Sequence, residues 1–526
     1  MRKIRPYLPL LGALLVAAAL KAVLTFSQSV PLNGDESLVA LMGRHINMGA
    51  RPVFFYGQAY MGSLDAWALA GSFRLFGENI VAIRIAQSLL YLANILCIWS
   101  LARLWFTDTR VADVAAWLAA IPSVLVSLYT TATLGGYNES LLLGQLVLGL
   151  GYLVVFTQHG RKWWVWLLLG LCGGLGWWTL GISGVYLLPV GLAGLWKFRR
   201  EYLPFYTLAA LGFMIGSLPW WMYNFAHDWE ALKSLSGPGD IVASTPLSRL
   251  ITFLLFGLSA VFSLRAPWLD TFFPLPLAVA GLWLFMMAGL YVFRFRGWAA
   301  VGLKRDAGIL LTAFVTLFVV VFVASTFGLD ATGRYLLPLA LPVSLLLAAF
   351  CAGLWQLKPA LGLGALVLAL VFHGATTWIA AASPQGLTTQ FDPITEFHND
   401  YDDELIAFLL ENDLTEGYGN HWMTFRIAFV SGERLRYAAE LPYKADMSYT
   451  PLDNRYLPYA EAADRSEHVA WITTKHHALD DRLRNWFQFA GLEFKEAQIG
   501  PYHIFYDFPR PVRPEEFGLG DGVIRD

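Results

Sequence analysis

Apolar residues fill the first 382 positions in runs of about 20, the length a helix needs to cross a bilayer core. Such runs stand at 7–28, 84–106, 111–130, 140–157, 163–180, 183–197, 204–223, 271–293, 307–327, 335–355 and 360–381. The pattern predicts about eleven transmembrane helices, with only a short break at Gly181-Ile182-Ser183. The run 250–263 is too short to span and is flanked by Arg249 and Arg265, so it is expected in the outer interface. Two long stretches interrupt the pattern, the loop 29–83 and the tail 383–526. In the loop, Leu38, Val39, Leu41, Met42 and Ile46 recur at helical spacing, with Arg44, His45 and Asn47 mostly opposite. That predicts an amphipathic helix lying along the interface. In the tail, 402–410 reads as a helix and the alternation over 468–473 as a strand.

The expected fold is therefore mainly α, a polytopic membrane protein in two parts. Residues 1–382 form a transmembrane domain, with interfacial helices in its first outer loop at 29–83. Residues 383–526 form a small soluble α/β domain outside the cytoplasm.

Composition narrows the class. The chain of 526 residues is 56% hydrophobic and 14% charged, against about 25% charged in soluble domains. This excludes a disordered chain, a disulfide scaffold and an ordinary soluble enzyme. A net charge of −2 supplies no basic field, so nucleic acid is not an expected partner. Cys97, Cys172 and Cys351 all fall in apolar runs and read as buried free thiols. The basic start, Met1-Arg2-Lys3-Ile4-Arg5, leads into a long apolar run and reads as a retained first span. Arg103, Arg110, Arg161, Lys162, Arg296 and Lys358 then occupy the loops that share its side. The positive-inside rule places that side in the cytoplasm and, over eleven spans, the tail outside.

The acids lie at the other face. Asp35, Glu36, Asp65, Glu78, Glu139, Asp240, Asp270 and Asp330 all fall at or near the outer boundary, and the span centres hold almost none. An ion-coupled transporter keeps working charges near the midplane, so this distribution points to a site at the outer surface. Asn33-Gly34-Asp35-Glu36-Ser37 opens the loop helix. Asp35 can cap that helix while Glu36 favours its positive end, or the pair can do chemistry. Glu139, at the mouth of the fourth span, admits the same two readings. Arg334, in Gly328-Leu329-Asp330-Ala331-Thr332-Gly333-Arg334-Tyr335-Leu336-Leu337-Pro338, stands at an outer span end against the positive-inside trend. It can bind phosphate oxygens bidentately, pair with Asp330, or snorkel.

A first span, an outer Asp-Glu pair, and a long loop closed by Phe76-Gly77-Glu78-Asn79 and Arg84 together resemble the GT-C class of membrane glycosyltransferases. The chain is similar to the branch of protein O-mannosyltransferases, lipid A aminoarabinose transferases and lipopolysaccharide-core sugar transferases. In that branch the acid pair matches Asp35 and Glu36, a second acid matches Glu139, and a late Arg-Tyr-Leu-Leu-Pro matches Arg334 to Pro338. The likeness covers about residues 1–380. Two departures stand out. Relatives often carry Lys-Pro-Pro in the first loop and Thr-Lys-Gly near the fifth and sixth spans. This chain has Tyr56-Gly57-Gln58-Ala59-Tyr60-Met61-Gly62-Ser63-Leu64-Asp65 and Thr179-Leu180-Gly181 there, with neither lysine.

The resemblance implies transfer of a sugar from a polyprenyl-phosphate donor to an acceptor hydroxyl outside the membrane, with inversion. The acceptor is a lipid, a glycan or a protein, and the location implied is a bacterial inner membrane. Asp35, Glu36 and Glu139 are the candidate catalytic acids. Arg334, Tyr335, Tyr56, Asp65 and His45 are the candidate substrate-binding positions, with no assigned metal ligands. No cofactor is required, although paired acids are also compatible with a divalent ion. Two competing readings are a transporter or flippase for a lipid-linked sugar, which needs a polar path across the membrane, and a non-enzymatic scaffold.

Overall fold

The computed structural model describes residues 5–234, 245–267, 271–294, 297–330, 332–390 and 392–519. Arg2, Lys3, Asp240, Asp270 and Arg296 lie outside the described residues. Among the described residues, seven helices are long and apolar enough to cross a membrane: Leu8–Phe26, Ile80–Trp105, Tyr137–Phe156, Leu275–Arg294, Arg305–Ala324, Arg334–Leu357 and Pro359–Ala381. Each coincides with an expected run. The chain is a mainly helical, multi-pass membrane protein.

The remaining four runs form helices that are short or broken. Residues 111–130 divide into Thr109–Ala120 and Val124–Tyr129. Pro122 cannot donate into a continuing helix, and Ser123 caps the second piece through the Val126 N–H. Trp163–Thr179 has 17 residues, a length of about 26 Å, and Gly184–Trp196 has 13. Arg200–Gly216 and Leu218–Ala226 are bent by 63° and count as an eighth span if joined. The short run near 250 becomes an apolar helix over Pro246–Val261.

Helices Trp163–Thr179 and Leu203–Gly216 approach backbone to backbone. Gly170 and Gly174 on one face Gly212 and Gly216 on the other. A methyl group at any of the four would overlap a carbonyl of the facing helix. Small residues four apart let helices meet this closely in lipid, where dispersion contacts must replace the hydrophobic drive.

The chain forms two compact units. The membrane unit comprises Met1–Ser29, Tyr60–Asp65 and Val81–Ala382; the tail unit comprises Val30–Ala59, Ala66–Ile80 and Ser383–Asp526. Most of the first long loop thus groups with the tail. In the tail unit, β1 (Glu416–Gly419), β2 (Arg436–Ala439), β3 (Val469–Thr474), β4 (Lys495–Ile499) and β5 (Tyr502–Tyr506) form one sheet in the order β2-β1-β3-β5-β4. The β1–β2 and β1–β3 pairs are parallel, and the β3–β5 and β4–β5 pairs antiparallel.

Alternation along the strands fills two cores. Tyr437, Ile472 and Ile504 pack with Leu405, Leu409 and Met423 on one face. Ala438, Trp471 and Phe505 pack with Leu479, Leu483 and Phe487 on the other. A sheet buried on both faces needs helices on both sides, and the expected helix (Asp402–Glu411) and strand (Val469–Thr474) both form.

Candidate functional site

The loop helix, Gly34–Asn47, starts at Asn33, whose side chain accepts the Glu36 N–H at 2.9 Å. Asn33 is therefore the cap, and the reading of Asp35 as the cap is corrected. Burial reaches beyond the apolar stripe: Glu36 to Gly43, His45 and Ile46 are buried, while Arg44 and Asn47 are half-buried. The cause is a second helix of the tail unit, His421–Val430, packed along this one. A lone amphipathic stripe cannot reveal a partner almost 400 residues away.

Asp35 meets an arginine and a histidine of the tail. Arg455 Nη1 donates to Asp35 Oδ1 at 2.9 Å, and His421 Nε2 lies 3.1 Å from the same oxygen. At the other end of the helix, His45 Nδ1 meets the Tyr56 hydroxyl at 3.0 Å, and its Nε2 donates to Glu433 Oε1 at 3.0 Å. Tyr56 stacks on Tyr456 with ring centres 4.7 Å apart. Burial and the carboxylate of Glu433 push the Tyr56 hydroxyl up from its ordinary range, so it stays a donor.

In the membrane unit, Asp65 holds the turn that leads into the helix of Glu139. Asp65 Oδ2 accepts the backbone N–H groups of Gly135 and Gly136 at 3.0 and 3.1 Å. Gly136 is left-handed, with φ of 81°, and precedes the helix that carries Glu139 in its first turn. Asp65 is fully buried, so its carboxylate is engaged in fixing this turn. Gln87 Nε2 donates to Glu139 Oε1 at 3.4 Å and to Thr133 Oγ1 at 3.2 Å.

Arg334 pairs with Asp330 through Nε and Oδ2 at 2.7 Å and lies over the Tyr335 ring at 4.9 Å. Tyr335 in turn lines an apolar cavity of about 620 Å³, together with Tyr60, Trp177, Trp220, Trp221 and Phe322. The structure thus brings Arg334 and Tyr335 together, Asp65 together with the Glu139 loop, and His45 with Tyr56.

Several polar residues escaped the sequence reading. Lys21, inside the first span, is buried, with Nζ donating to Thr130 and Thr131 hydroxyls at 2.7 and 2.6 Å. A single lysine in an apolar run was the available signal. Gln87, Asn94, Asn138 and Gln145 form an amide ladder between two spans. Asn94 and Gln145 on their spans hint at it; His421 and Arg455 left no local signal. Among the described residues, no group of three or more His, Cys, Asp or Glu side chains is placed to hold a metal ion.

Comparison with solved structures gives the architecture a name. The crystal structure of ArnT from Cupriavidus metallidurans bound to undecaprenyl phosphate matches with a TM-score of 0.60. The match covers 94% of this chain and 98% of that one, at 13% identity. The chain has the GT-C fold. Within this GT-C chain, residues 63–223 match the family described as dolichyl-phosphate-mannose-protein mannosyltransferase.

Among curated relatives, an undecaprenyl phosphate-alpha-4-amino-4-deoxy-L-arabinose arabinosyl transferase of Pseudomonas aeruginosa (strain UCBPP-PA14) is 29% identical over 177 residues, 31% of this chain. A second, arabinosyl transferase 2 of Pseudomonas fluorescens (strain Pf0-1), is 26% identical over 333 residues, 60% of this chain. The chain spans 32% of the length of the first relative and 53% of the second.

Proposed function

We propose that this chain is an integral-membrane glycosyltransferase that moves a sugar from a polyprenyl-phosphate donor to an acceptor hydroxyl. The observation that carries the reading is the aromatic-walled cavity of the membrane unit, with Tyr335 in its lining and Arg334 against that ring. An apolar chain fits the cavity, and a guanidinium suits the phosphate at its end. The relatives named for undecaprenyl-phosphate sugars support the same donor class.

In this reading the acceptor oxygen attacks the anomeric carbon as the bond from that carbon to the phosphate oxygen breaks. The electron pair leaves with polyprenyl phosphate, and the configuration inverts. Asp35 takes the hydroxyl proton as general base. Glu36 and Glu139 set local charge, Asp65 shapes the Glu139 turn, and His45 and Tyr56 bind substrate. Arg334 stabilises charge growing on the leaving phosphate, and exchanges Asp330 for it. The step calls for no cofactor, and a chelator control tests whether a divalent ion accompanies the donor.

The proposal includes eleven spans, transmembrane and soluble parts at 1–382 and 383–526, and a reaction on the outer face of a bacterial inner membrane. A flippase would need polar groups open to a path, whereas the amide ladder pairs largely within itself. Purified protein incubated with a panel of polyprenyl-phosphate sugars should release free polyprenyl phosphate with one of them. Release from none, with lipid, glycan and protein acceptors supplied, would overturn the reading.

A further inference from the structure

We infer that the tail unit supplies positioning residues for the proposed base: His421 and Arg455 hold Asp35 in place, and the Arg455 charge lies beside its carboxylate. The inference rests on the reading of Asp35 as the base, and its own support is geometric. His421 is the first residue of its helix, and its side chain is 2% exposed. Its Nδ1 lies 3.1 Å from the carbonyl oxygen of Asp453, which can only accept, so Nδ1 carries a hydrogen. Its Nε2 lies 3.1 Å from Asp35 Oδ1. Two bare acceptors at that distance repel, so a second hydrogen lies between ring and carboxylate. The ring therefore cannot turn without losing one of two bonds. Arg455 completes the grip on the same oxygen, and its guanidinium lies over the Phe55 ring at 5.4 Å.

The fit leaves no slack. A methyl group on Gly34, beside Asp35, would stand 2.8 Å from the His421 carbonyl oxygen and 2.9 Å from Trp422 Cα. One on Gly57, where φ is 70°, would stand 3.0 Å from Arg455 Cα and Cβ. Two glycines of the loop thus admit the two tail residues that grip Asp35. The other titratable groups facing this cluster are Asp453, Lys444 and Tyr443. The Arg455 guanidinium, 2.9 Å from the carboxylate, favours its charged form. The two contacts fall on the same oxygen, Oδ1, and fix where the carboxylate stands.

The test uses the full-length protein and single-turnover transfer from the donor identified by the panel, read across pH. His421→Phe removes both ring bonds and should slow transfer by about 10- to 100-fold, the scale of a small misplacement of a reacting group. His421→Gln, which can return a donor to Asp35, should recover most of that loss. Arg455→Met removes a positive charge beside the carboxylate, so the acidic limb of the rate profile should move to higher pH. Arg455→Lys should leave the limb in place. A purely structural role would change the folded fraction but not the limb. If folded His421→Phe and Arg455→Met match wild type in rate and limb while Asp35→Asn is inactive, the positioning inference fails and the base reading stands. If Asp35→Asn is itself as active as wild type, the base reading fails and takes the inference with it. Arg455→Met keeps the test decisive should His421→Phe not fold.

Discussion

The two units balance buried charge with different chemistry. In the tail unit, charge answers charge: Asp35 meets Arg455 and His421, Asp402 meets Arg426, and Glu433 meets His45 and Arg44. In the membrane unit, neutral dipoles carry much of the load. Lys21 is held by threonine hydroxyls, Asp65 by backbone N–H groups and Glu139 by an amide. Arg334 with Asp330 is an ion pair, and it sits at the start of its span. An arginine beside an acid favours its ionised form. An acid that fixes a backbone turn, as Asp65 does, serves as a structural member. In the first loop both Asp35 and Glu78 meet an arginine, and Asp35 is the more buried of the two.

The strongest challenge to that contrast is Asp35→Asn against Asp65→Asn. A general base contributes roughly 10²–10⁴-fold to rate, and Asp35→Asn should lose about that factor in turnover. Folding should survive, because the helix cap is Asn33 and not Asp35. Asp65→Asn retains an oxygen for the Gly135 and Gly136 N–H groups and should keep most activity. Equal losses in the two variants would erase the distinction between the acids.

Next in size is Arg426. Its guanidinium is fully buried, with Nε 2.9 Å from Asp402 Oδ2 and Nη2 donating to the Tyr502 hydroxyl at 2.5 Å. Removing one partner of a buried pair leaves the other charge uncompensated, at a cost of about 3–5 kcal/mol. Arg426→Met should lower tail-unit stability by that amount, read by hydrogen exchange over β3. A loss below about 1 kcal/mol would mean that charge pairing does not hold the tail unit together.

These sites also show what sequence reading reaches. Seven spans, the helix behind Asp35 and the helix and strand of the tail were legible, because each is written in the local period of apolar residues. The breaks at Pro122 and between Gly216 and Leu218 were not read, since both lie inside runs of unbroken hydrophobicity. The cap at Asn33 stood two residues from the acid that drew attention. The grip on Asp35 joins positions 386 and 420 residues apart, and no local pattern encodes such a pairing.

Arg334 comes third. Loss of a charge-assisted contact to phosphate is worth about 1.5–3 kcal/mol, so Arg334→Ala should weaken donor binding by roughly 10- to 100-fold. Arg334→Lys should fall between, keeping the charge but losing the planar fork. Asp330→Ala frees the guanidinium and should not weaken donor binding. Unchanged affinity in Arg334→Ala would return Arg334 to a structural partner of Asp330. Asp65→Ala belongs just below in size. It strands two buried N–H groups and should cost about 1–3 kcal/mol in membrane-unit stability. Full stability in that variant would mean the Gly135–Gly136 turn holds without it.

The smallest effect is the pH response that charge pairing should give the tail unit. Burial alone would raise the Glu433 carboxyl, but bonds from His45 and Tyr459 and the nearby Arg44 outweigh it and hold the group below its ordinary 4.5. Its stabilisation is therefore present above that value and is lost as pH falls through the folded one. Burial alone would lower His503, but Asp480 and Glu496 outweigh it and raise the imidazole above its ordinary 6.5. That contribution is complete below 6.5 and is lost as pH rises through the folded value. From these two groups, tail-unit stability should be highest between about pH 4.5 and 6.5 and decline on either side. Exchange protection in β3 and β5 checks the curve. His503→Gln should remove the decline on the alkaline side, and Glu433→Gln the one on the acid side. A wild-type curve flat across both limits would show that the Glu433 and His503 pairings contribute nothing to tail-unit stability.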